Sequence, residues 1–137
     1  MIRILIADDH AGVRMGLRLL LEQQGDFQVV GEASDGIEAV DLAVQLMPDV
    51  VLMDITMPRL DGNGATQRLR DMALPIKVLI LSMHSEVGIV NAALAAGACG
   101  YVVKASVRGD LVPAVHATVK GEMFLSPSIR DLIPHLE

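Results

Sequence analysis

The chain has 137 residues and a hydrophobic fraction of 52%, enough for one domain with a proper core and too apolar for disorder. A net charge of −6 makes it a poor DNA binder by itself, because phosphate contacts need clustered Lys and Arg. Cys99 is the only cysteine, which excludes a disulfide frame or a cysteine metal site; in the small-residue stretch AAGACGY it is expected to be a buried, inert thiol. Aromatics make up 2% of the chain, so the core must be Leu, Val, Ile, Met and Ala, with the eight methionines filling gaps. The N-terminal apolar run is short and closes on Asp8 and Asp9, unlike a signal peptide. No run approaches the roughly 18–20 apolar residues of a membrane span. A reducing cytoplasm is the expected setting.

In chain order, the apolar run 2–7 predicts a first strand. Val13, Leu17, Leu20 and Leu21 lie on one face of a helix that Gly25 can end in the left-handed conformation. Residues 28–32, QVVGE, make a weaker second strand suited to an edge. Asp35 and Glu38 resemble a capping box, with Ile37, Val40, Val44 and Met47 along the helix and Pro48 stopping it. Strands follow at 50–53, 78–81 and 101–103. Between them lie a weakly patterned helix over about 64–72 and a helix marked by Val87, Val90 and Leu94. Leu111, Val112, Val115 and Val119 mark a fifth helix. In the tail, Ser126 can cap a helix with Pro127 at its first position, and Ile129, Leu132, Ile133 and Leu136 form an apolar stripe interrupted by Pro134. Residues 127–136 are expected to bury Ile129, Leu132 and Ile133 against the domain or a second copy. Met57-Pro58-Arg59-Leu60-Asp61-Gly62 is a stiff loop, its Asp-Gly pair marking a turn whose glycine can take positive φ.

Alternating strands and helices predict a parallel sheet, and in such a sheet all strands end at one edge, where ligands bind. Asp8, Asp9, Asp54, Ser82 and Lys104 sit just past or at the ends of apolar runs and should converge there. Three carboxylates held together resist ionisation. A hard divalent cation relieves the conflict, and oxygen ligands select magnesium, calcium or manganese. With an ammonium and a hydroxyl opposite, the cleft suits phosphoryl transfer, and an aspartate can be the nucleophile.

The motifs ILIADDH, VVLMDITMPRLDG, VLILS and GYVVK stand in order, and the chain resembles the receiver domains of bacterial two-component response regulators over residues 2 to about 130. The phrases LSMH, AALAAGACGYVVKAS and AVHATVKGEMFLSPSI resemble the NarL/LuxR-type subgroup. The resemblance implies a flavodoxin-like (CheY-like) α/β fold, a doubly wound five-stranded parallel sheet in the order 2-1-3-4-5 with helices on both faces. It implies that Asp54 accepts a phosphoryl group from a cognate histidine kinase. It further implies that Asp8, Asp9, Asp54 and the Thr56 carbonyl bind Mg²⁺, and that Ser82 and Lys104 contact the phosphoryl group. Tyr101 would change its burial as Ser82 moves. Many receivers carry proline after the lysine; here Ala105 follows, as is common in the subgroup. The implied organisation is a receiver over 1–121 and a tail over 122–137 that begins a linker to a helix-turn-helix DNA-binding domain. A homodimer controlling transcription is the implied output. A natural single-domain receiver is the alternative to a longer protein.

Other readings compete. A haloacid-dehalogenase-type phosphatase also uses an aspartate nucleophile, Mg²⁺ and lysine, but needs an acid two residues on, where Thr56 stands. A flavodoxin-like binding module needs a phosphate cradle where this chain is acidic. His10, His84, His116 and His135 read as surface residues, with His84 close enough to the cleft to tune hydrolysis. A self-phosphorylating signalling domain, not a turnover enzyme, is therefore expected.

Overall fold

A computed structural model describes residues 1–132. The strands are β1 (Ile2–Ala7), β2 (Phe27–Ala33), β3 (Val50–Met53), β4 (Lys77–Ser82), β5 (Gly100–Val103) and β6 (Phe124–Leu125). The helices are α1 (Ala11–Glu22), α2 (Gly36–Leu46), α3 (Gly62–Asp71), α4 (Val87–Ala96), α5 (Val107–Val119) and α6 (Pro127–Arg130). All pairings are parallel and the strand order is β2-β1-β3-β4-β5-β6. The expected 2-1-3-4-5 order is present, and a short sixth strand extends it. Two residues are too few to give a periodicity, so β6 left no pattern to read. Gly100 admits it: a Cβ there would stand 2.9 Å from the carbonyl oxygen of Phe124.

Period-two alternation divides each strand between two faces. Ile4, Ile6, Leu52, Leu79, Leu81 and Val102 pack against Leu17 and Leu21 of α1 and Leu111 and Val115 of α5. Leu5, Val51, Met53, Ile80, Tyr101 and Val103 face α2, α3 and α4 through Val40, Ala43, Ala65, Leu69, Val90 and Ala93. Every residue of β3 and β5 is buried, whereas β2 is partly open, as its weaker run implied.

The tail joins this second core. Ile129 is wholly buried, while Leu132 is half exposed; Ile133 and Leu136 lie outside the described residues. The tail helix seen here covers only Pro127–Arg130, and Ser126 precedes it without capping it through its side chain. Other local expectations also change. Gly25 does not end α1, whose cap is the right-handed Gln23. Met47 closes α2 at φ 47°. Six of the eight methionines are exposed, because the aliphatic residues already fill the core; only Met53 and Met57 are buried. Cys99 is partly exposed, its small neighbours leaving it at the open start of β5.

Candidate functional site

Four strands deliver the site. Asp8 follows β1 and donates its N–H to Ala33 O of β2, at 3.0 Å. Asp54 follows β3 and donates to Ala7 O, at 2.9 Å, so the two aspartates are laid side by side by the β1–β3 ladder. Ser82 ends β4 opposite Val103, and Lys104 comes next, opening a 3-10 turn over Lys104–Ser106. The predicted residues are therefore at one sheet edge. Lys104 Nζ lies 2.9 Å from Asp8 Oδ2 and 3.6 Å from Asp54 Oδ2, an ion-pair fork closing 96 positions of sequence.

Asp8, Asp54 and Ser82 are buried, whereas Asp9 is open. Carboxylate oxygens of Asp8, Asp9 and Asp54, with a ring nitrogen of His10, lie within 4.8 Å of one another. This is a donor set suited to a small divalent cation, since three oxygens of like charge repel without one. Burial pushes the Asp54 carboxyl above the usual carboxylate range; Lys104 pulls it back, and Asp8 and Asp9 add to the rise. The N–H of Thr56 also favours the ionised form. Thr56 itself is exposed and offers no acid two residues after Asp54, which counts against the phosphatase reading.

The loop after Asp54 is built for close approach. A Cβ at Gly62 would lie 2.1 Å from the Asp54 carbonyl oxygen, so only glycine fits against it. The positive φ expected of this glycine belongs instead to Arg59, at 68°. Arg59 is tied to Asp35 at 3.1 Å, and Asp61 caps α3 by accepting from Gly64 N at 2.7 Å. Asp35 likewise caps α2 by accepting from Glu38 N, as predicted, while Glu38 Oε1 returns to Ser34 N.

Ser82 and Tyr101 meet at His84. Ser82 Oγ accepts from His84 N at 3.1 Å, and Tyr101 Oη donates to His84 O at 2.8 Å. Tyr101 is wholly buried, and that burial pushes its phenol up. His84 is thus at the cleft through its main chain, with its ring partly exposed beside Glu86.

Three participants were not legible beforehand. His10 donates its N–H to Asp8 Oδ1 at 2.9 Å, and its Nδ1 stands 3.1 Å from Asp9 Oδ1. Arg14 donates to the Asp8 carbonyl at 2.6 Å while paired with Glu32 at 3.0 Å. Ser126 reaches Val103 N at 3.0 Å. For His10 the run Asp8-Asp9-His10 was a usable signal; Arg14 depends on how α1 turns back over the end of β1, and Ser126 on a contact between distant segments.

A doubly wound parallel sheet whose edge gathers three carboxylates, a hydroxyl and a lysine defines a CheY-like α/β module. The chain belongs to the response regulator receiver domain family, which it matches over residues 4–116. It is of the NarL/LuxR type. It is 44% identical to the transcriptional regulatory protein LiaR of Bacillus subtilis over 130 residues, covering 94% of this chain and 61% of LiaR. A two-component response regulator of the LuxR family from Aurantimonas superposes with a TM-score of 0.92 at 39% identity, covering 98% of this chain and 96% of that one. The signal receiver domain of NarL from Mycobacterium tuberculosis gives 0.85 at 40% identity, covering 88% and 98%. The chain spans about three fifths of the length of the sequence relatives it matches. Those relatives are signalling regulators, and response regulators work with histidine kinases. Among the described residues, no helix is long and apolar enough to cross a membrane.

Proposed function

We propose that the chain receives a phosphoryl group on Asp54 from the phosphohistidine of a cognate histidine kinase in the cytoplasm, and relays the event to a transcriptional output. The observation that carries this reading is the Lys104 ammonium shared between Asp8 and the buried Asp54. An Asp54 oxygen attacks phosphorus, the P–N bond breaks, and its electron pair returns to the kinase imidazole. Asp8, Asp9 and Asp54, with the Thr56 carbonyl, would hold Mg²⁺, which when bound offsets charge on the carboxylates and the transferred group. Ser82 and Lys104 supply the hydroxyl and ammonium that hold the phosphoryl oxygens. Tyr101 follows Ser82 through their common partner His84, and the face of α4, β5 and α5 responds. Water attack on the acyl phosphate restores Asp54 and releases inorganic phosphate.

Residues 1–121 make up the receiver in this reading, and 122–137 begin the linker to a helix-turn-helix DNA-binding domain, in keeping with the greater length of LiaR. Exposed Met15 and Leu19 on α1 favour pairing with a second copy. Incubation with Mg²⁺ and acetyl phosphate should add one phosphoryl group by intact mass to the wild type and none to Asp54→Asn. Equal labelling of the two proteins would sink the assignment.

A further inference from the structure

The backbone ladder between β5 and β6 stops at Tyr101 and Leu125, one residue before Ser126. Ser126 continues it by other means. Its N–H donates to Tyr101 O at 3.0 Å, and its hydroxyl oxygen accepts from Val103 N at 3.0 Å. The hydroxyl proton goes to Asp110 Oδ2 in the first turn of α5, at 2.8 Å. Ser106 Oγ donates to Val103 O at 3.2 Å. Both main-chain groups of Val103 are therefore held by serine hydroxyls, one of them brought by the tail. Ser126 is wholly buried, so water cannot replace it cheaply. The residue after Val103 is Lys104, whose ammonium sits between Asp8 and Asp54.

We propose that Ser126 is a positioning residue for Lys104, so that docking of the tail on β5 and phosphorylation of Asp54 are coupled through Val103. The proposal rests on the phosphoacceptor reading of Asp54 and adds the route by which the tail takes part. A serine has one proton and two lone pairs. Here the proton and one lone pair are committed to Asp110 and Val103, which fixes the side chain in a single orientation. Movement of Lys104 toward a dianion on Asp54 pulls on Val103 and hence on Ser126. By linkage, a tail that undocks frees Val103 and loosens Lys104 to the same energetic extent. Arg130, which donates to Leu125 O at 3.0 Å, and buried Ile129 make residues 124–130 respond together.

The test uses the full chain with Ser126→Ala, Asp110→Ala, Asp110→Asn, and Val29→Ala, a core variant on the far edge strand that controls for lost stability. In metal-free protein, amide exchange at residues 103–106 should quicken about tenfold in Ser126→Ala and Asp110→Ala, on the scale of one lost buried hydrogen bond. It should stay unchanged in Val29→Ala. Under acetyl phosphate, the same two variants should lose about tenfold in maximal labelling rate. Their half-saturating Mg²⁺ concentration should stay that of the wild type. Asp110→Asn, which keeps an acceptor for the hydroxyl, should restore most of the rate. Should Ser126→Ala fail to fold, Asp110→Ala carries the comparison. Wild-type exchange over 122–130 should also change when beryllofluoride and Mg²⁺ are added. Wild-type rates in both alanine variants, or a tail indifferent to beryllofluoride in a wild type that is labelled, would overturn the coupling alone. A wild type that takes no phosphoryl group would overturn the phosphoacceptor reading, and the coupling with it.

Discussion

At Asp54 burial opposes ionisation, Lys104 favours it, and burial has the larger effect. The folded protein thus binds the Asp54 proton more tightly than the unfolded chain does. The stabilisation this group provides is complete below the unfolded carboxylate pKa, about 3.9, and is lost as pH rises through the higher folded value. Metal-free Asp54→Asn, which has no charge to desolvate, should therefore be the more stable protein at pH 7, with a gap that shrinks on acidification. Urea denaturation in EDTA at several pH values measures it, and equal midpoints at pH 7 would count against the burial argument. Magnesium should narrow the gap by stabilising only the native wild type. Its two acidic neighbours should not weigh equally. Asp8 already spends one oxygen on Lys104 and the other on His10 N, whereas Asp9 is more exposed and, among the described residues, meets only the His10 ring. Calorimetric Mg²⁺ titration should find Asp9→Asn weakened more than Asp8→Asn, by about tenfold or more against the wild type; the reverse order would refute this division. The acidic residues, Ser82 and Lys104 were legible because each ends or follows an apolar run. Arg14 and Ser126 were not, since an arginine on a helix and a serine before a proline carry no trace of which carbonyl or amide they will meet.

The loop from β3 to α3 behaves as one unit. Asp61 caps the helix, Arg59 takes the left-handed conformation and leans on Asp35, and Gly62 presses against the Asp54 carbonyl. A methyl group at position 62 has nowhere to go except into that carbonyl. Gly62→Ala should cost about 1–3 kcal/mol in urea denaturation, the usual scale for overpacking, and should slow acetyl phosphate labelling by moving Asp54. A fully stable, fully reactive variant would show that the loop yields more easily than its contacts imply. Helices were legible from apolar spacing, and α2 and α4 appear where Val40 and Val90 placed them. Their ends were harder to read. Gly25 and Gly62 looked like left-handed residues because glycine permits that conformation, yet the chain used Met47 and Arg59 for it and kept Gly62 for contact. Permission for a conformation is written in one residue; the need for it is set by whatever packs nearby.

For the molecule as a whole, alternation of strands and helices predicted a parallel sheet, and the order of its first five strands was what the family resemblance implied. The sixth strand was missed for lack of length and periodicity, whereas the apolar stripe of the tail predicted the burial of Ile129. Strand and tail bury Leu125 and Ile129 against the core that holds Tyr101. Removing residues 122–137 should therefore destabilise the domain by about 3 kcal/mol or more, from the burial of two aliphatic side chains, and should bare β5 as a new sheet edge open to association. Urea denaturation with light scattering reports both effects. A truncated chain as stable and monodisperse as the full one would place the end of the folded unit at 121.

The fork of Lys104 on Asp8 and Asp54 has a consequence for the protein's birth. A ribosome delivers the chain from its N-terminus, and Asp8, Asp9 and Asp54 emerge long before Lys104, with Ser126 later still. Domains fold as units once their sequence is available. Until the last strands are out, the acidic cluster has no ammonium partner and β5 has no cover. A chain that ends before Lys104 thus cannot assemble the cleft, and one that ends before Ser126 leaves the amide of Val103, next to Lys104, without its hydroxyl partner.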